Sequence, residues 1–202
     1  MDDDAHAHIR EFFATRADGW DDRFPDDGSA YAAAVAELGL HEGDAVLDAG
    51  CGTGRALPAL RNAVGPTGTV LGADLTPEML RAAVRAGRDR YGLPAVADVA
   101  RLPLRGAALD AVFAAGLISH LPDAGSGLRE LARVVRPGGR LALFHPLGRA
   151  ALAARHGRTP SPDDPRAEPR LRPLLAGAGW ELTAYTDEDT RFLALAVRRP
   201  AG

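Results

Sequence analysis

Five short apolar runs recur from Ala45 onward, with enough chain between each pair to hold a helix: Ala45 to Ala49, Thr69 to Asp74, Pro94 to Asp98, Leu109 to Ala114 and Arg140 to His145. Runs that are apolar throughout suit strands covered on both faces, and strands separated by crossover lengths run parallel. The expected class is therefore α/β, a mostly parallel sheet with helices on both faces. The segments between the runs agree. Thr53 to Val64 sets Ala56, Leu57, Leu60 and Val64 on one helical face, with Pro58 acceptable only in the first turn. Thr76 and Pro77 mark a second helix start, where a hydroxyl can cap free amides and a missing N–H costs nothing. Met79, Leu80, Ala83 and Val84 are expected to face inward from it. A later helix gathers Leu128, Leu131, Val134 and Val135 and stops at Pro137-Gly138-Gly139.

The flanks differ in character. Ala5 to Ala17 and Ser29 to Leu38 are helical patterns outside the sheet, suited to a lid. In the tail, a helix around Leu171 to Ala178 precedes two β-like runs, Trp180 to Thr186 and Thr190 to Arg198. Asp187-Glu188-Asp189 joins them as a hairpin. His156 to Arg170 holds Pro160, Pro162, Pro165 and Pro169 and is expected to be irregular.

With 202 residues the chain can enclose one apolar core, and a net charge of -3 provides no basic field for nucleic acid or anionic membrane. A small-molecule partner is favoured. The single cysteine, Cys51, has no disulfide or metal-site companion, and no apolar run is long enough to cross a bilayer. Together with an acidic start at Asp2-Asp3-Asp4, this leads us to expect a cytoplasmic protein. All 24 basic residues are arginine, a compositional bias. Arg149, Arg155, Arg158, Arg166, Arg170 and Arg172, grouped near the proline-rich stretch, are thus read as solvated surface before an anion site. His6 and His8 are not expected to hold a metal, and none is expected elsewhere.

The chemistry concentrates in Val46-Leu47-Asp48-Ala49-Gly50-Cys51-Gly52-Thr53-Gly54, an apolar strand ending in a carboxylate and a glycine-rich turn. Dinucleotide-binding folds use a similar turn, but Arg55 stands where their third glycine belongs. At roughly 5 Å and an effective dielectric near 20, Asp48 would repel a phosphate by about 3 kcal/mol. The same charge attracts a cation.

These residues resemble the nucleotide-binding motif of class I S-adenosylmethionine-dependent methyltransferases, and the likeness continues in order from Asp44 to Pro146. The resemblance implies a Rossmann-like seven-stranded sheet of order 3-2-1-4-5-7-6 with an antiparallel last strand. It implies S-adenosylmethionine as cofactor and S-adenosylhomocysteine as product. By the same analogy Asp48 and the backbone of Gly50, Cys51 and Gly52 would hold the methionine end, and Asp74 the ribose hydroxyls. Leu75 and Met79 would pack on the base, with Met79 equally suited to the core. Asp98 and the Val99 amide would read adenine, and Ala115 would begin the segment lining the transfer site, with Ser119 on the substrate side.

The Asn/Asp-Pro-Pro-Tyr motif of many amino-directed nucleic-acid and protein methyltransferases is missing after Ala114, which turns the expectation toward O, N or C of a small-molecule acceptor. His120 and His145 are the candidate general bases, each also readable as a structural histidine. Trp20 and Phe24 are candidates for closing over substrate, with core packing as the competing reading. One domain, 1–202, is expected: a helical lid (1–43), a donor-binding core (44–146), and a substrate-side segment with the C-terminal hairpin (147–202). Two rivals stand beside the enzyme: a donor-binding scaffold or regulator without catalysis, and a nicotinamide-dependent oxidoreductase, against which Arg55 and Asp48 count. The sequence sets no oligomeric state.

Overall fold

The apolar runs pair into one sheet in the computed structural model, which describes residues 2–23 and 27–200, with side chains from His6 onward. The strands are β1 (Ala45–Ala49), β2 (Thr69–Asp74), β3 (Leu93–Val96), β4 (Leu109–Ala115), β5 (Val135–His145), β6 (Trp180–Glu188) and β7 (Arg191–Arg198). Their order across the sheet is β3-β2-β1-β4-β5-β7-β6. Strands β1 to β5 are parallel, while β7 runs antiparallel to both β5 and β6. The helices are α1 (Asp2–Ala14), α2 (Gly28–Leu38), α3 (Leu57–Val64), α4 (Pro77–Arg85), α5 (Ala124–Val134), α6 (Arg149–Arg155) and α7 (Glu168–Gly177). Among the described residues no helix is long and apolar enough to cross a membrane.

Successive strand residues point to opposite faces, and here both faces are apolar. Val46 and Phe113 enter the layer under α2 and α3 with Leu57, Leu60 and Phe144. Their neighbours Leu47 and Val112 enter the other layer with Leu131, Leu171, Trp180 and Phe192. The continuous apolar runs are thus explained by two cores rather than one. Trp180 is fully buried, and its indole N–H donates to the Leu128 carbonyl at 2.9 Å, tying the C-terminal hairpin to α5.

Several local expectations are corrected. Thr76 occupies the cap position of α4 but makes no side-chain cap: its amide donates to the Asp74 carboxylate at 2.8 Å, and its hydroxyl turns to the same carboxylate. Val84 is 50% exposed, on the solvent face of a helix whose Met79, Leu80 and Ala83 are buried. Helix α5 ends at Val134; Val135 already pairs with Leu109, and the register shifts before Arg140 pairs with Ala111, so Pro137-Gly138-Gly139 lies within β5. Asp98 lies beyond β3 rather than in it. In the hairpin, Glu188 pairs with Arg191, leaving a two-residue turn at Asp189-Thr190. Helices α6 and the start of α7 fall in stretches where the sequence pattern gave no helix.

Candidate functional site

In a parallel sheet the carboxyl ends of all strands face one edge, and the crevice lies where the strand order reverses, here between β1 and β4. A cavity of about 740 Å³ opens there. Asp48, the fourth residue of β1, is 1% exposed, and among the described residues its Oδ2 has no hydrogen-bond partner. Burial, and secondarily the charge of Asp74, push its pKa up to about 8. Next comes Gly50 at φ +68°, where a β-carbon would sit 2.9 Å from Leu117 Cδ1, so the turn requires glycine.

The amides of Gly50 and Cys51 both donate to the Ala73 carbonyl, at 2.8 and 3.0 Å. That of Gly52 donates to Asp74 Oδ2 at 2.8 Å. The amides of Gly50, Cys51 and Gly52 are therefore used within the protein. The Cys51 side chain is buried, and a β-carbon on Gly72 would lie 3.0 Å from its sulfur, so it fills space against β2. Asp74 is clamped from both sides, since its Oδ1 takes the Thr76 amide. Burial raises its pKa against the lowering pull of the two amides. Leu75 and Met79 also line the cavity, and Met79 is buried as well, so its two readings coexist. Asp98 lines the same cavity with Val99 beside it; its Oδ1 accepts the Ala100 amide at 2.8 Å. Its Oδ2 lies 3.9 Å from Nδ1 of His6 on α1.

Ala115 ends β4, Ser119 and His120 follow it, and His145 ends β5; all four line the cavity. His120 meets the Phe13 ring edge-on at 5.0 Å between centroids. It opens to the cleft yet is flanked by enough protein that burial, helped by the charge of Arg166, lowers its pKa. His145 is tied down: the Leu147 amide donates to its Nδ1 at 3.0 Å, with the Leu147 carbonyl 2.9 Å away. Burial, joined by repulsion from Arg166, His120 and Arg155, pushes its pKa down to about 4 against a raising contribution from the Leu147 backbone. Trp20 lines the roof with Phe13, their rings 5.4 Å apart. Phe24 lies outside the described residues.

Residues 47–143 match the model of a methyltransferase domain family. This is the stretch that carries the acid-ended strands and the glycine loop. This stretch belongs to that family, and the fold around it is that of the class I S-adenosylmethionine-dependent methyltransferases. A 27-O-demethylrifamycin SV methyltransferase of Amycolatopsis mediterranei is 38% identical over 110 residues, 52% of this chain and 40% of the relative. An O-methyltransferase of Aspergillus sclerotiorum is 31% identical over 163 residues, 75% of this chain and 60% of the relative. The chain thus spans less than two thirds of these curated relatives. A solved S-adenosylmethionine-dependent methyltransferase from Aquifex aeolicus is 26% identical with a TM-score of 0.69, covering 85% of this chain and 89% of that one. The sheet is the Rossmann-like methyltransferase sheet, and S-adenosylmethionine is the cofactor of the family.

The chain also holds polar contacts beside the cavity that the sequence did not reveal. Thr53 of the glycine loop donates its hydroxyl to Asp21 at 2.7 Å, and Arg88 reaches both Asp21, at 2.6 Å, and the Thr53 carbonyl, at 2.9 Å. Arg55 pairs with Asp27, and both line the cavity with Tyr31. Partners 28 to 67 residues apart leave no periodic trace, although the run of aspartates before α2 was in plain view. Of the six tail arginines, Arg155 and Arg166 line the cavity, against the reading of the group as surface. Arg149 turns inward to Asp164 and Asp187, while Arg170 and Arg172 make outer pairs.

Proposed function

We propose that the chain transfers a methyl group from S-adenosylmethionine to a small-molecule acceptor and releases S-adenosylhomocysteine. The observation that carries this reading is the convergence of Asp48, Asp74 and Asp98 on one cavity. The donor fits the residues present: a buried carboxylate oxygen lacking a partner at Asp48 suits an α-ammonium, and Asp74, fixed by backbone amides, retains acceptor capacity for ribose hydroxyls. Asp98 and the Val99 amide would face the base, with Leu75 and Met79 packed on it. The Gly50 to Gly52 loop would serve the methionine end through carbonyl oxygen. When bound, S-adenosylmethionine supplies a methyl carbon activated by a sulfonium that leaves as a neutral thioether.

What the chain must add is alignment, exclusion of water and, for a protonated acceptor, a place for the proton. Taking the Leu147 amide as the donor to His145 Nδ1 places the ring proton on Nε2. We therefore read His145 as a hydrogen-bond donor to the acceptor. His120, with no such tie and a lowered pKa, is the residue to take a proton. Residues 1–43 would act as the lid and 147–202 as the acceptor side. The Amycolatopsis relative is named for a small-molecule acceptor, and a roofed cavity supports the same for this chain.

Calorimetric titration with S-adenosylhomocysteine and, separately, with NADH tests the reading. Saturable binding of the first alone is expected. Tight NADH binding without S-adenosylhomocysteine binding overturns it, and binding without turnover on a broad acceptor panel favours the scaffold instead.

A further inference from the structure

The cavity is electrically polarised along the sheet. Its wall at β1, β2 and β3 carries Asp48, Asp74 and Asp98. The segments after β4 and β5 contribute His120, His145, Arg155, His156 and Arg166 to the lining and, among the described residues, no carboxylate. The two environments meet where a methyl group would cross.

The cations are held in place by partners within the protein. Arg166 forks onto Asp164, with Nε at 3.0 Å and a terminal nitrogen at 2.8 Å, and Asp164 is shared with Arg149 at 3.4 Å. Arg155 projects from α6 and donates to the Arg23 carbonyl at 3.2 Å. The charges of Arg166 and Arg155 both act on His145 and disfavour its protonation. The body of this half is apolar: Phe12, Phe13, Trp20, Leu121 and Leu152 line it. An anion entering this corner would add charge-assisted hydrogen bonds to guanidinium groups already fixed by their own partners, and to the ring N–H of His145.

We infer that the acceptor is an apolar, ring-bearing molecule with an acidic group, bound as its anion in the corner between the end of β5, α6 and the loop before α7. Arg155 and Arg166 receive the anion, and the aromatic roof covers the ring. This rests on the methyltransferase reading and specifies the acceptor class for the same cavity.

The test uses the full chain loaded with S-adenosylhomocysteine, titrated by calorimetry with matched pairs: 2-naphthoate against 2-naphthamide, and 4-phenylbenzoate against its amide. At least one carboxylate should bind about tenfold or more tighter than its amide, a difference that Arg155→Gln and Arg166→Gln each reduce at least about threefold. Unchanged S-adenosylhomocysteine affinity in both variants establishes that they fold and keep the donor half. Equal binding within each pair, tighter amide binding, binding by neither member of either pair, or a preference indifferent to both arginines overturns the inference while donor binding stands. Failure of S-adenosylhomocysteine to bind the unsubstituted chain removes the underlying reading, and this one with it.

Discussion

Asp48 illustrates how burial turns a single side chain into a proton-linked element. With its pKa near 8 in the free protein, the group is largely protonated at neutral pH, whereas an ammonium beside it favours the ionised form. Donor binding should therefore release a proton, and S-adenosylhomocysteine affinity should rise between pH 6 and about 8, by up to about tenfold per pH unit, then level off. Calorimetry in buffers of different ionisation enthalpy measures this directly, and Asp48→Asn should flatten the dependence. The sign for stability is opposite. A folded pKa above the unfolded value of about 3.9 means that the ligand-free fold gains most from this group in acid and loses that contribution as pH rises toward 8. At Asp74, replacement by alanine should weaken donor binding at least about tenfold, since charge-assisted hydrogen bonds are worth about 1.5–3 kcal/mol each. Asp48, Asp74 and Asp98 could be picked out from sequence because each ends or closely follows an apolar run. His6, Asp27, Tyr31 and Arg55 could not, because what brings them to the cavity is tertiary pairing across the chain.

At the scale of elements, Gly148 is the most exposed to substitution. A β-carbon there would lie 1.9 Å from the Glu188 carbonyl oxygen, a backbone atom that cannot turn aside. Gly148→Ala should push α6 off the hairpin, costing about 1–3 kcal/mol in thermal or denaturant unfolding. It should also weaken acceptor binding more than donor binding, because α6 carries Leu152 and Arg155. The sheet was readable because its strands are apolar on both faces, and helices α3, α4 and α5 because each presents one apolar stripe. Helix α6 has no buried residue, so its sequence carries no stripe to read. Val84 failed for the converse reason: an apolar residue at the margin of a stripe carries no mark of which way it will face. Val135 was assigned to the helix because apolar periodicity runs through the helix–strand junction without a break; only pairing with Leu109 ends it.

Across the whole molecule, the layers are joined by few but specific ties. Trp180→Ala should cost about 3–5 kcal/mol of unfolding free energy, removing both the buried ring and the bond that anchors the hairpin to α5. The N-terminal segment is joined differently, by polar contacts: Asp18 to Arg85, Asp21 to Arg88 and Thr53, Asp27 to Arg55, and His6 beside Asp98. Such contacts span the boundary between roof and floor for the segment before α2, alongside the ring contact of Phe13 with His120, whereas α2 itself is seated in the core. Arg88→Ala should leave global stability within about 1 kcal/mol while shortening the residence time of S-adenosylhomocysteine, measurable by stopped-flow displacement. A cover fastened in large part by electrolytes is a latch whose grip depends on the medium. On the proposed function, departure of the spent nucleoside should quicken in moderate salt, because screening loosens the ties that hold the cover.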